Sequence, residues 1–229
     1  MILQRNNLPN IDQVSEEMSH MLGDYNASEF RQFFVYYLQC QAGAKEFSTK
    51  LENLDSEFEM LDNHNPIHHM ETRMKSPQSL LRKLTKKGYD FTFDNIKNNI
   101  FDIAGIRVIT NYLEDINTVE KALTKQSDVT LIKRKDYISH PKPSGYRSLH
   151  LVVSVPVFRA DGPVSTPVEI QLRTVGMDMW ASLEHKLRYK TNVDKKKVEK
   201  YGDQLKDYST ELNQIETNMQ EIFNNLQHK

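Results

Sequence analysis

The sequence predicts an α/β (α+β) fold, a mixed β-sheet with packed helices that is flanked by long N- and C-terminal helices. Near each end of the chain, apolar residues recur at alternating steps of three and four, which is typical of amphipathic helices. Between these ends lie several short apolar runs that alternate with polar residues, which is typical of strands. Helical patterns separate some of these runs, and the approximate order of elements is α-α-α-β-α-β-β-β-α-α.

The first long helix is expected over residues 28–62, and the NHNP segment at residues 63–66 ends it. Pro66 restricts the backbone of the residue before it and so disfavours a continued helix. The apolar stripe of this helix consists of Phe30, Phe33, Tyr37, Cys40, Ala44, Phe47, Leu51, Leu54, Phe58 and Leu61. A stripe this narrow fits either packing within the chain or pairing with a helix of another subunit.

The elements between the terminal helices carry start and stop signals. A helix over residues 76–87 has Ser76 as its N-cap, Pro77 as its first residue and Gly88 as its terminator. The remaining elements are expected to be strands over residues 105–112, 129–137, 148–158 and 164–174, and helices over residues 114–125 and 177–190.

A second apolar stripe near the C-terminus consists of Leu205, Tyr208, Leu212, Ile215, Met219, Ile222 and Leu226. Two such stripes predict that the terminal helices pack on each other or on those of another subunit. The charged segment DKKKVEK at residues 194–200 is interpreted as a solvated linker or the start of a helix.

The composition excludes several classes of protein. The formal net charge is −1, so no large overall field draws the chain to DNA or to a membrane. Cys40 is the only cysteine, which excludes an internal disulfide and fits a reducing, cytoplasmic setting. No apolar run approaches the roughly 18 residues of a membrane span. The N-terminus also lacks the layout of a signal peptide.

Two carboxylates are the strongest candidates for catalytic or metal-binding residues. Alternation in VEIQLR places Glu169, Gln171 and Arg173 on one face of a strand, although a sheet face open to water would show the same pattern. Asp102 precedes another apolar strand, where it either caps a turn or holds a cation together with Glu169. Proteins bind Mg²⁺ with one or two carboxylates and leave its other positions to water and phosphate oxygens. Two acids among cations therefore predict a phosphate-handling site.

Basic residues cluster in several segments even though the net charge is near zero. They are Arg73, Lys75, Arg82, Lys83, Lys86 and Lys87 around the 76–87 helix, Lys133, Arg134 and Lys135 on one strand, and Lys142 and Arg147 in the loop KPSGYRSLH. A lone surface lysine is ordinarily just solvated, but cations that converge from several segments favour an anionic ligand.

Several familiar sites are absent from the sequence. There is no GxxxxGK[ST] loop, no GxGxxG loop, no Cys/His zinc spacing and no HD dipeptide. The group His64, His68 and His69 is interpreted as part of a helix-ending turn rather than as a metal site. Cys40 is interpreted as a core residue because it falls on the stripe of the first helix.

Five motifs follow one another in order through residues 64–190. They are HNPIHHMETRMKS, DIAGIRVI, KDYISHPKPSGYRSLHL, VEIQLRT and MDMWASLEHKLRYK. Together they resemble the synthetase domain of the RelA/SpoT alarmone family, and most closely its small stand-alone members of the RelP type. The resemblance implies a nucleotidyltransferase-like synthetase fold without a hydrolase domain. It also implies transfer of the β,γ-pyrophosphoryl group of ATP to the 3′-hydroxyl of GDP or GTP, giving AMP and ppGpp or pppGpp.

The resemblance also assigns roles to residues. Asp102 and Glu169 would be the catalytic carboxylates that hold Mg²⁺. The residues implied for ATP are Arg73, Lys75, Ser79, Lys83, Arg107, and either Lys133 or Arg134. The residues implied for GDP or GTP are Lys135, Lys142, Ser144, Tyr146, His150, Gln171, Arg173 and Ala181. Alternation along the strand means that Lys133 and Arg134 cannot both face the site.

The sequence divides into an N-terminal helical segment (1–62), a catalytic core (63–190) and a C-terminal helix expected to mediate oligomerisation (191–229), all within one compact domain. The resemblance implies a homotetramer, and the composition adds the expectation of a cytoplasmic protein with no membrane association. RNA binding stays open but is not predicted. The alternatives are a catalytically inactive nucleotide- or RNA-binding regulator on the same fold and a structural helical protein. The choice between GDP and GTP stays open.

Overall fold

The computed structural model describes residues 27–90, 92–189 and 201–227. The helices are α1 (Ala27–Leu61), α2 (Pro77–Lys87), α3 (Phe93–Asn99), α4 (Leu113–Thr124), α5 (Val175–Tyr189) and α6 (Gly202–Gln227). The strands are β1 (Ile67–Met74), β2 (Ala104–Thr110), β3 (Thr130–Asp136), β4 (Leu149–Arg159) and β5 (Gly162–Thr174). The segment predicted as a linker, residues 194–200, lies outside this part of the chain.

The strands form one mixed sheet in the order β1-β2-β5-β4-β3. β2 and β5 run parallel at its centre, and the other neighbouring pairs are antiparallel. The parallel pair brings together segments that are far apart in the sequence, DIAGIRVI and VEIQLRT. The prediction of a mixed sheet with packed helices is therefore confirmed.

One face of the sheet is apolar and packs against α1 and α4. Phe47 and Leu51 of α1 join Ile116 of α4 in the same cluster as Ile106 and Ile170 of the two central strands. Alternation explains this face, because each apolar residue of β5 is followed by a polar one. The apolar stripe of α1 thus packs mainly within its own chain.

A second cluster positions α2 beside the edge of the sheet. Leu80 and Leu84 of α2 pack with Cys40 and Ala44 of α1 and with Ile103. The end signals predicted for α2 are confirmed. Ser76 caps its N-terminus through the backbone N–H of Ser79, and Gly88 ends it with a φ of 71°.

The sequence analysis missed the strand β1 and gave no bounds for the helix α3. His68 and His69 lie in β1, so the interpretation as a helix-ending turn was wrong for these two, whereas His64 does lie in the bend after α1. β1 is an edge strand whose side chains are mostly exposed, and it therefore lacks the apolar alternation that marks a strand. α3 spans only two turns, too short for a periodic pattern.

The stripe predicted along α6 divides between two faces of the helix. Leu205 and Leu212 point toward the body of the chain, whereas Tyr208, Ile215, Met219, Ile222 and Leu226 are each at least half exposed. The face that packs on the chain carries polar residues, and the most buried of them are Ser209 and Gln220. No helix within the described residues is both long enough and apolar enough to cross a membrane.

Candidate active site

Polar residues from all five strands lie on the sheet face opposite α1. The strand pairing aligns them in two neighbouring rows. The first row is Arg73, Gly105, Glu169, Val152 and Lys133, and the second is Glu71, Arg107, Gln171, His150 and Lys135. Directly paired residues point to the same side of a sheet, so the predicted polar floor is assembled by register alone.

Asp102 lies just before β2 and pairs with two lysines. Its Oδ2 atom is 2.6 Å from Nζ of Lys83 and 3.0 Å from Nζ of Lys75. Burial opposes ionisation of Asp102, but the two ammonium groups outweigh it and hold the pKa of this carboxyl below its ordinary value. The other oxygen, Oδ1, is buried and has no hydrogen-bond partner within the described residues.

Glu169 is one member of a closed ring of polar contacts. Gln171 Nε2 donates to Glu169 Oε2 at 2.8 Å, and Arg173 Nη2 donates to Gln171 Oε1 at 2.9 Å. Arg173 Nη2 also donates to the Tyr146 hydroxyl at 2.6 Å, which is 2.8 Å from His150 Nε2. His150 Nδ1 closes the ring 3.4 Å from Glu169 Oε1.

One arrangement of protons satisfies every contact of this ring. If the Tyr146 hydroxyl donates to Nε2 of His150, the Nδ1–H of His150 points at Glu169. Both arms of the ring then run from Arg173 and end on the Glu169 carboxylate. Burial opposes the charge of Glu169, but the His150 and Gln171 contacts outweigh it and hold the pKa of Glu169 below its ordinary value.

A cavity on one side of the two carboxylates contains two guanidinium groups. Arg73 and Arg107 line it together with Asp102, Glu169 and Gln171. Because Arg73 pairs with Gly105 and Arg107 follows two residues later on β2, the two groups lie on neighbouring strands and the same face. Planar cations in this arrangement suit the flat face of a nucleobase.

A second cavity on the other side of the carboxylates is lined by four lysines, Lys83, Lys87, Lys133 and Lys135. It also contacts Asp102 and Glu169. Partial burial and the charges of Lys83, Lys133 and Lys135 lower the pKa of Lys87. Like charges held this close are stabilised by a polyanion such as a nucleotide phosphate chain.

The loop KPSGYRSLH turns tightly between β3 and β4. The N–H of Gly145 donates to the Lys142 carbonyl at 2.8 Å, and Gly145 has a φ of 91°. Ser144 Oγ accepts from the N–H of Tyr146 at 3.4 Å. Nζ of Lys142 lies 4.5 Å from the ring centre of Tyr137 and 4.4 Å from that of Tyr146. The loop and the neighbouring Tyr137 thus present a cation and two aromatic rings beside the ring of hydrogen bonds.

Eight of the predicted site residues line neither cavity: Lys75, Ser79, Arg134, Lys142, Ser144, Tyr146, Arg173 and Ala181. Arg134 pairs with Leu151 on β4 and so points to the opposite sheet face, where its guanidinium contacts both carboxylate oxygens of Glu120 at 2.7 and 3.1 Å. Alternation thus turns Arg134 away while Lys133 faces inward, so of the two alternatives left open by the sequence only Lys133 lies beside the carboxylates. Ala181 is buried in α5 and lines neither cavity.

Among the residues near the site that received no role from the sequence are Asp178, Lys87 and Tyr137. Asp178 in the first turn of α5 contacts Arg173 at 2.9 Å and Arg107 at 3.4 Å through the same Oδ1 atom. Lys87 lies one helical turn after Lys83, and Tyr137 directly follows β3. The spacing of Lys87 was a usable signal, whereas the position of Asp178 depends on how α5 packs.

Asp102 and Glu169 are the residues that could hold a divalent cation. They line both cavities, and the unpartnered Oδ1 of Asp102 leaves one buried oxygen free for a metal. Two carboxylate donors match the way Mg²⁺ is held beside phosphates. The donor set of this chain therefore fits Mg²⁺.

Comparison with known proteins gives a consistent result. A family model described as "Region found in RelA / SpoT proteins" matches residues 72–194. The chain is 43% identical over 159 residues to the GTP pyrophosphokinase YwaC of Bacillus subtilis, covering 69% of this chain and 75% of that protein. It is 36% identical over 162 residues to the GTP pyrophosphokinase YjbM of the same organism, covering 71% and 74%.

Solved structures agree with these relatives. Small alarmone synthetase 1 from Bacillus subtilis, bound to its product pppGpp, superposes with a TM-score of 0.77 at 32% identity, covering 87% of this chain and all of that one. Small alarmone synthetase 2 from the same organism has a TM-score of 0.72 at 37% identity, covering 82% and 97%.

Proposed function

The chain belongs to the RelA/SpoT family, and we propose on that basis that it is a small alarmone synthetase that makes (p)ppGpp. It transfers the β,γ-pyrophosphate of ATP to the 3′-hydroxyl of GDP or GTP and releases AMP. The observation that carries this proposal is the position of Asp102 and Glu169 between a cavity with two guanidiniums and a cavity with four lysines.

ATP would bind across both cavities. Its adenine would stack between Arg73 and Arg107, and its phosphates would contact Lys75, Lys83, Lys87 and Lys133, with Ser79 at the start of α2. Such transfers depend on positioning and on charge stabilisation more than on covalent chemistry. The lysines supply the positive charge that the migrating group requires.

The acceptor nucleotide would bind beside the loop of residues 142–150. The guanine would stack on Tyr146, and Lys135 and Lys142 would contact its phosphates. Glu169 would orient the 3′-hydroxyl, since the hydrogen bonds that end on its carboxylate keep it charged and fixed. His150, Gln171 and Arg173 hold Glu169 in place, and this intact network favours an enzyme over an inactive regulator.

Asp102 and Glu169 would hold Mg²⁺, which when bound neutralises charge on the phosphate oxygens. The lysine pair on Asp102 Oδ2 leaves Oδ1 available for this purpose. A cytoplasmic setting and a likeness to the RelP type remain predictions.

The function is tested by incubating the purified protein with Mg²⁺, ATP and either GDP or GTP, then separating the nucleotides by ion-exchange chromatography. We expect AMP to appear in step with a guanosine nucleotide that carries a 3′-pyrophosphate. The two acceptors tested side by side rank GDP against GTP. Folded protein that releases no AMP with either acceptor would contradict the proposal and support a nucleotide-binding regulator.

Alanine variants of Arg107 and Arg134 test which face of the sheet binds ATP, because these two arginines lie on opposite faces. Arg107→Ala is expected to raise the KM for ATP about tenfold, because a stacked cation over a base is lost. Arg134→Ala removes an arginine of the same size from the opposite face and should leave the KM for ATP unchanged. Steady-state kinetics with ATP varied at saturating GDP measure both. A larger effect from Arg134→Ala would overturn the assignment of Arg107.

Assembly into a homotetramer is proposed to use the exposed stripe of α6. Ile215→Asp combined with Ile222→Asp places two charges on that stripe, and we expect a smaller species by size-exclusion chromatography with light scattering, because burying unpaired charges is costly. Thr210→Asp combined with Gln214→Asp adds the same charge beside the stripe and serves as the control. An unchanged mass for the first variant would argue against this interface.

A further inference from the structure

The C-terminal helix packs directly behind the loop of residues 142–150. Ser209 of α6 is 5% exposed, and its hydroxyl donates a hydrogen bond to the carbonyl oxygen of Gly145. A Cβ atom on Gly145 would lie 3.0 Å from Cα of Lys206 and 3.1 Å from Cβ of Ser209. The loop backbone and the helix therefore touch without space for another atom between them.

A second contact lies two helical turns further along α6. The Glu216 carboxylate accepts a hydrogen bond from the N–H of Gly176 at 3.1 Å. It shares a small cavity with Arg147, whose Nε is buried without a hydrogen-bond partner in the described part of the chain. Arg147 in turn donates from Nη1 to the Ile138 carbonyl at 2.7 Å. Arg147 belongs to the loop, so Glu216 attracts the loop electrostatically from behind.

The contacts of Ser209 and Glu216 with the loop and its neighbour Gly176 are polar and directional. Burial raises the pKa of Glu216, and its hydrogen bonds and the charge of Arg147 offset only part of that shift. A helix that served only to cover the loop would bury apolar side chains more cheaply. A buried hydroxyl that bonds one carbonyl and a partly buried carboxylate that faces Gly176 and Arg147 instead define the distance and direction between helix and loop.

Neither Ser209 nor Glu216 lines the cavities that contain Asp102 and Glu169. Any effect on the reaction must therefore pass through the loop. Tyr146 is the link, since it lies between Gly145 and Arg147 in the sequence and its hydroxyl belongs to the hydrogen-bonded ring around Glu169. A shift of the loop backbone would move the stacking ring of Tyr146 and leave Arg73 and Arg107 in place.

We propose that Ser209 and Glu216 are positioning residues for the acceptor nucleotide, which hold the loop of residues 142–150 in its binding conformation through Gly145 and Arg147. The inference rests on the proposed function, in which this loop binds GDP or GTP. On this proposal, residues of α6 determine the affinity for the acceptor nucleotide. The opposite face of the same helix is exposed and apolar.

The test compares two hydroxyl deletions on neighbouring residues of α6. Ser209→Ala is expected to raise the KM for GDP about fivefold to twentyfold, the effect of losing a buried hydrogen bond. The KM for ATP should stay at its wild-type value, because Arg73 and Arg107 do not move with the loop. Thr210→Ala removes a hydroxyl that is bonded only within the helix, to the Lys206 carbonyl, and should change neither KM. Thermal unfolding of each variant shows that it is folded at the assay temperature.

Glu216→Gln provides the second variant and decides the question if Ser209→Ala does not fold. It keeps the oxygen that accepts from Gly176 but removes the charge that faces Arg147, so the KM for GDP should again rise alone. Glu211→Gln, at an exposed position of the same helix, is its control. Equal increases in both KM values, or a lower unfolding temperature with unchanged KM values, would overturn the proposal. Wild-type protein that makes no AMP would instead reject the proposed function itself.

Discussion

Replacing Glu169 with Gln is expected to lower kcat about a hundredfold to a thousandfold, the usual cost of removing one charge-stabilising group from an active site. The amide has nearly the same shape as the carboxylate, so the packing around it is kept, although its single oxygen can accept from only one of Gln171 and His150. What the variant loses is the negative charge that would orient the acceptor hydroxyl and share a cation with Asp102. The protein should therefore fold normally and still bind ATP.

The measurement is the rate of AMP formation at saturating ATP and GDP, accompanied by thermal unfolding. Glu120→Gln is the matched control, because Glu120 is also a poorly exposed carboxylate that pairs with an arginine, Arg134, but on the opposite face of the sheet. It should retain the wild-type rate. A Glu169→Gln variant that works at a near-normal rate would show that the role given to Glu169 is wrong.

The candidate site was predictable from the sequence wherever apolar and polar side chains alternate regularly along a strand. VEIQLRT directs Val168, Ile170 and Leu172 into the core, so Glu169 and Gln171 had to face the other way. Alternation also required that only one of Lys133 and Arg134 face the site. It could not say which, because that choice depends on how β3 pairs with β4, and the register shifts between Leu131 and Lys133.

Contacts that depend on packing between elements could not be predicted in this way. The bridge from Asp178 to Arg107 and Arg173 exists because α5 begins directly after β5 and packs beside β2. On α6, the apolar spacing correctly predicted a helix but not which face meets the chain. That face is set by Ser209, Glu216 and Gln220, whose polar side chains carry no hydrophobic signal.

Gly145→Ala is expected to raise the KM for GDP and GTP at least tenfold, with the KM for ATP unchanged. Two effects act together. A φ of 91° is strained for any residue with a Cβ, and this strain costs about 1–3 kcal/mol. The new methyl group would also lie 3.0 Å from the backbone of Lys206, which cannot move aside as a flexible side chain could. The loop must therefore shift away from α6 and carry Tyr146 with it.

Gly162→Ala separates these two effects. Gly162 also has a positive φ, 110°, but its added Cβ would meet nothing within 4 Å at the tip of the β4–β5 hairpin. Both variants should lose stability from backbone strain, whereas only Gly145→Ala should lose acceptor affinity, because only there does the methyl group displace the loop from α6. If the KM for GDP rose equally in both variants, the effect at Gly145 would be one of general stability. Acceptor binding would then not depend on the close contact between the loop and the C-terminal helix.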